Sequence, residues 1–192
     1  MGKTRLEAFS DGVIAILITI MVLELRSPDA VSWDALRPLS HEFMAYVLSF
    51  VILGIYWNNH HHMLHTVERV SGGILWANMN LLFWLSLIPF GTAWAGKSDF
   101  FQPVPTAVYG LLLLLAGVAY WILTHTIIHH QGPDSRLARA VRRDFKGVLS
   151  MVVYALGVIL AFVEPRLAMA LYAAVALMWF IPDRRIETRT EH

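Results

Sequence analysis

The sequence predicts an all-α integral membrane protein with six transmembrane helices per subunit. Three observations carry this reading. Of the 192 residues, 57% are hydrophobic and 15% are charged, whereas a soluble domain carries about a quarter charged residues. Mean hydropathy is +0.55. The apolar residues fall in runs of about 16 to 25, long enough to cross a bilayer.

The first span is expected at about 4–25, RLEAFSDGVIAILITIMVLEL from Arg5 to Leu25. This run is longer than a signal-peptide core, contains Asp11 and lacks a small-residue cleavage site, so it reads as a retained span. Residues 26–39 form a loop with Pro28 and Pro38, in which Trp33 and Leu36 suit a membrane surface. Ser40 is placed to cap the second span, about 41–63, which ends in the histidine-rich NNHHHMLH. After a turn at Glu68 and Arg69, Ser71 is placed to cap the third span, about 72–95. Pro89 lies inside that span, removes a backbone donor and predicts a kink. The fourth span, about 104–128, opens with Pro103 and Pro105 and is broken by Gly132, Pro133 and Asp134.

Ser135 to Lys146, SRLARAVRRDFK, places Leu137, Val141 and Phe145 four residues apart among basic residues. This spacing predicts an amphipathic interfacial helix. Two short spans follow, about 147–163 and 166–181, separated by Glu164 and Pro165. Residues 1–182 thus form one six-span unit, and residues 183–192 a polar tail. With both termini in the cytoplasm, Lys3, Arg5, Arg69, Arg136, Arg139, Arg142, Arg143, Lys146, Arg184, Arg185 and Arg189 lie inside. Only Arg26, Arg37, Lys97 and Arg166 lie outside, a positive-inside bias that supports an even span number. A multi-pass plasma-membrane location follows. The net charge of +1 gives no ground for a nucleic-acid partner, and the lack of cysteine excludes disulfides and thiolate metal sites.

The first helix carries the chemistry. A carboxylate such as Asp11, one third of the way into a membrane-length helix, normally faces protein or water. Gly12, Ile16, Thr19 and Leu23 share one helix face. Several copies of this helix around a common axis would form an ion pathway. Ile16 would make an apolar constriction able to gate by dewetting, Thr19 a ring of hydroxyls, and Leu23 a second apolar ring. Taken alone, Ile16 and Leu23 also suit ordinary packing, and the Thr19 hydroxyl also suits a bond back to the Ala15 carbonyl.

Next to that face stands Arg5, Phe9, Ser10, Asp11, Gly12, the pattern R-x-x-x-F-S-D-G. Trp57 and His60 give W-x-x-H at the end of the second span, and Asn78 precedes L-I-P-F by a fixed interval in the third. Together these motifs resemble the transmembrane protein 175 family, endolysosomal potassium channels of animals and their shorter bacterial relatives. The resemblance covers roughly residues 5–95. It implies a homotetramer of six-span units around the first helix, with potassium as the permeant ion, membrane lipid as surroundings and no cofactor. The pore would lack the T-V-G-Y-G carbonyl filter, and no such filter occurs in this sequence. By position, Ile16 and Leu23 resemble the pore constriction, and Thr19 the layer that contributes to potassium preference. Arg5, Phe9, Ser10, Asp11, Trp57, His60 and Asn78 resemble the network supporting the pore helix. The implied function is a leak-type, potassium-permeable cation channel with modest selectivity over sodium.

Two other classes compete. A proton-coupled transporter would use Asp11 as its relay, although the spans show no inverted repeat. A haem or metal protein would use the histidines. His60, His61, His62 and His65 cluster at the end of the second span, and His125, His129 and His130 at the end of the fourth. The pairs His61/His65 and His125/His129 are spaced four apart on one face. No carboxylate is spaced to complete a zinc site, so no metal ligands are assigned. No nucleophile motif or phosphate-binding loop is present, and the chain does not read as an enzyme.

Overall fold

The computed structural model describes residues 2–97, 102–141 and 145–180. Among these residues the only regular structure is helical, with no strand. Helix α1 spans Lys3–Ile20 and tightens into a 3-10 turn over Met21–Glu24. Helix α2 spans Ser40–His65, α3 Gly72–Ser86, α4 Ile88–Lys97, α5 Pro103–Gln131, α6 Arg136–Val141, α7 Phe145–Leu160 and α8 Pro165–Phe180.

Four helical segments are long and apolar enough to cross a membrane: Lys3–Glu24, Ser40–His65, Gly72–Lys97 and Pro103–Gln131. The last two helices have 16 residues each. At 1.5 Å per residue each reaches about 24 Å, short of a core of about 30 Å. The chain is a multi-pass membrane protein. Its large side chains also face outward, with Trp76 78%, Phe83 55% and Phe90 59% exposed. In water such faces would aggregate; in lipid they are solvated.

Local chemistry sets the helix ends. Pro89 divides the third segment: α3 stops at Ser86 and α4 starts at Ile88, so the residue lacking an N–H falls in a first turn that needs no donor. Ser71 caps α3, accepting from the Ile74 N–H at 3.3 Å. Ser40 does not cap α2 as expected. It lies inside the helix, and its hydroxyl donates back to the Arg37 carbonyl at 2.7 Å. Pro103 and Pro105 occupy the first turn of α5, and Gly132, at φ 93°, ends it in a conformation that L side chains avoid.

The basic segment is described only in part. The described helix is only Arg136–Val141, capped by Ser135, whose Oγ accepts from the Ala138 N–H at 3.2 Å. Leu137 is buried in the core and Val141 packs against it, while Phe145 opens α7 and is exposed. Leu137 and Val141 of this stripe thus rest on protein. Arg142, Arg143 and the expected tail at 183–192 lie outside the described residues.

Helix α5 is the central post, packed on α3, α4, α7 and α8, while α2 packs on α1, α4 and α8. Tyr172 of α8 locks this core. It is fully buried in a notch left by Gly110 of α5 and Gly157 of α7, where any Cβ would collide with its ring or hydroxyl. Helix α1 packs chiefly on α2 and α3.

Candidate functional site: the two faces of the first helix

Helix α1 carries two stripes. Leu6, Ser10, Ile14, Leu17 and Met21 are buried against α2 and α3. Arg5, Phe9, Gly12, Ile16, Thr19 and Leu23 are exposed on the other side. Ile14 is 0% exposed, whereas Ile16, two residues on, is 59% and Leu23 79%. The four residues assigned to one face from sequence do share the free face. Thr19 donates its hydroxyl proton to the carbonyls of Ile16 at 2.9 Å and Ala15 at 3.1 Å. A hydroxyl has one proton and two lone pairs, so this bond leaves oxygen lone pairs for a cation.

The buried side is fastened by two polar rungs. Ser10 and Asp11 are consecutive and so point about 100° apart around the helix; each enters a different rung. In the first, the Asn78 amide donates to Ser10 Oγ at 2.9 Å, and its carbonyl oxygen lies 2.7 Å from His60 Nε2. The acceptor at Asn78 requires the Nε2–H form of His60. Ser10, Asn78 and His60 are all 0% exposed, so this rung joins α1, α3 and α2 away from solvent.

In the second rung, the Trp57 indole N–H donates to Asp11 Oδ1 at 3.0 Å. His61 Nδ1 lies 3.9 Å from Asp11 Oδ2, and its ring stacks on Trp57 at 5.9 Å between centroids. This rung is half exposed. At the start of α1, Lys3 Nζ donates to the His65 carbonyl at 2.8 Å and pairs with Glu7 at 3.8 Å. At the far end, Lys97 Nζ reaches Glu24 Oε2 at 3.2 Å, tying α4 to the 3-10 turn. The first helix is thus pinned along its length on one side only.

The seven residues expected to form one network are divided by the structure. Ser10, Asn78 and His60 form the buried rung, and Asp11 and Trp57 the exposed one. Arg5 and Phe9 belong to neither; they lie on the free stripe with Ile16, and Arg5 has no side-chain partner among the described residues. His61 was missed. Its signal was its spacing: four residues after Trp57, it shares that residue's face more closely than His60 does.

A helix with one face bolted to its own subunit and a second, apolar, hydroxyl-bearing face left bare belongs to an assembling membrane protein. Residues 5–89 match the family described as endosomal/lysosomal potassium channel TMEM175. The chain is 52% identical over 187 residues to a potassium channel from Chryseobacterium sp. (strain P1-3), covering 97% of each chain. It is 34% identical over 197 residues to a potassium channel from Streptomyces collinus, covering 96% of this chain and 95% of that one. Its fold is similar to the crystal structure of a lysosomal potassium-selective channel TMEM175 homolog from Chamaesiphon minutus, with TM-score 0.81, 24% identity and coverage of 93% of this chain and 96% of that one. The chain belongs to the TMEM175 family, a family of ion channels and not of enzymes.

Proposed function

We propose that the protein is a leak-type, potassium-permeable cation channel with modest preference over sodium. Four copies of α1 line its central pore. The observation that carries this reading is the exposed stripe Gly12, Ile16, Thr19, Leu23 on a helix fixed from behind by two polar rungs. One chain has a single first helix and cannot enclose a pore with it, so the pathway requires an oligomer. Family membership and the bacterial relatives named as potassium channels support potassium as the ion.

In this channel Ile16 forms the narrow apolar ring. An apolar constriction excludes ions by dewetting and conducts when it widens. One turn on, Thr19 offers hydroxyl oxygens to a partly dehydrated cation, and Leu23 forms the next apolar layer. The Ser10–Asn78–His60 and Asp11–Trp57 rungs hold the pore helix in register. Helices α7 and α8 complete a six-span unit in the plasma membrane with both termini in the cytoplasm, as the distribution of Lys and Arg favours. No cofactor is needed.

The test is current from purified protein in a planar bilayer, with potassium on one side and sodium on the other. A reversal potential displaced toward potassium, with conductance that does not saturate, supports the channel. Flux that saturates and is abolished by Asp11→Asn in a correctly assembled protein would instead make Asp11 a transport relay.

A further inference from the structure

We propose that His61 and His65 form a binding site for a zinc-class transition-metal ion, and that its occupation is transmitted to α1 through Asp11. The second half of this proposal rests on the channel reading above; the first half does not.

The two histidines stand one turn apart at the end of α2, with Nε2 facing Nε2 at 3.1 Å. Zinc binds imidazole nitrogen at about 2.0–2.1 Å, so two ligands at a tetrahedral angle sit about 3.3 Å apart. The pair is within a few tenths of an ångström of that separation before any metal arrives. Both rings border solvent: His65 is exposed and His61 is half-exposed. Among the described residues no third His, Asp or Glu joins them as a cage. The site is therefore open, with water completing the coordination. The last turn of a helix also presents its negative dipole end, which favours a cation there.

The surroundings of His61 distinguish this pair from two histidines that merely happen to meet. Its second nitrogen, Nδ1, is buried without a hydrogen-bond partner and faces Asp11 Oδ2 at 3.9 Å. Metal-ligating histidines commonly give their other ring N–H to a carboxylate, which fixes the tautomer and strengthens the ligand. Here the carboxylate is on another helix. Without metal, the 3.1 Å contact is a hydrogen bond in which either ring can donate. If His61 donates from Nε2, its Nδ1 lone pair faces a carboxylate. A metal on Nε2 removes that choice, leaving Nδ1–H directed at Asp11. The ion thus draws His61 and Asp11 together and tightens α1 on α2.

Trp57 assists by stacking on His61 while donating to the other oxygen of Asp11. Lys3, bonded to the His65 carbonyl, places a positive charge nearby, and Glu7 at 3.8 Å offsets it. The His125/His129 pair lacks this arrangement. Among the described residues no contact joins the His125 ring to that of His129 and no carboxylate pairs with either; the His125 Nδ1–H donates to the Trp121 carbonyl at 2.9 Å, and its ring lies over Trp121.

The experiment is equilibrium dialysis of zinc against full-length protein without a histidine tag. It compares wild type, His65→Gln, His129→Gln and the double variant His61→Gln/His65→Gln. His65 is exposed, so its replacement leaves the fold intact. The expected result is one zinc per chain, bound at least about tenfold more weakly in His65→Gln and unchanged in His129→Gln. Zinc retained equally by wild type and the double variant overturns the site. In bilayer recordings, zinc added on the side of these histidines should reduce the current of wild type and not of His65→Gln. Zinc that binds wild type yet leaves its current unchanged overturns the coupling to α1. Zinc bound through these residues in a protein that passes no current in any form supports the site and overturns the channel reading instead.

Discussion

Asn78 joins two helices to a third through one amide. Its NH2 group reaches Ser10 on α1 and its oxygen reaches His60 on α2, all without solvent. In Asn78→Leu both partners lose their bond, and each buried orphan costs about 1–3 kcal/mol. Thermal unfolding in detergent should show a clear drop in midpoint, whereas the same substitution at exposed Asn58 should not. An Asn78→Leu protein as stable as wild type would remove the first rung as a fastening. Tyr172 presents the reverse case. Its hydroxyl is buried without a partner among the described residues, beside the bare Cα of Gly110. Removing an unsatisfied hydroxyl relieves a desolvation penalty, so Tyr172→Phe should be at least as stable as wild type. Gly110→Ala, which drives a methyl into that hydroxyl, should lose about 1–3 kcal/mol through overpacking. Most of that loss should persist in the double variant Gly110→Ala/Tyr172→Phe, because the ring carbons Cζ and Cε1 of residue 172 also crowd the added methyl. Full recovery of stability in the double variant would show that the methyl meets the hydroxyl alone and not the ring.

At the scale of the helix, α1 shows what a sequence can and cannot declare. That Ile16, Thr19 and Leu23 share a face follows from 3.6-residue periodicity alone. Which of its two apolar stripes is buried does not, because lipid and protein interior are alike to Leu6, Ile14, Ile16 and Leu23. The buried stripe is marked only by Ser10, whose partner Asn78 is 68 residues away. The same gap explains His61: adjacent histidines on α2 point in different directions, and only the packing of α1 on α2 decides which one meets Asp11. Pro89 announced its break because its missing N–H acts locally, and Ser71 announced its cap for the same reason. Leu137 is buried on protein, and an amphipathic stripe does not by itself say whether lipid or protein lies under it. The free stripe carries its own prediction. Ile16→Ala should raise conductance by widening the constriction, and Thr19→Val, which keeps the shape but removes the oxygen, should lower the preference for potassium over sodium. Unchanged conductance and unchanged reversal potential in both variants would remove α1 from the pore.

For the whole molecule, the sequence makes four spans plain. Their 22 to 29 residues exceed what a bilayer requires. The α7–α8 hairpin is less plain, because 16 residues per helix is close to the limit of a crossing. The assembly is least legible of all, since it depends on contacts that a single chain does not contain. Gly12 provides a way to separate assembly from folding. It lies on the free stripe, and a Cβ placed there meets no heavy atom within 4 Å in the chain. Gly12→Leu should therefore leave the fold of one subunit untouched, with an unfolding midpoint close to that of wild type. Where membrane helices approach closely, small residues sit at the contact, and a leucine there forces the backbones apart. In the proposed tetramer, native mass spectrometry of wild type should give the mass of four chains of 21.7 kDa. The Gly12→Leu sample should shift toward smaller species and carry less potassium current. A variant that retains the fourfold mass and the full current would mean that the first helices do not meet at Gly12. The pore would then have to be built from another face.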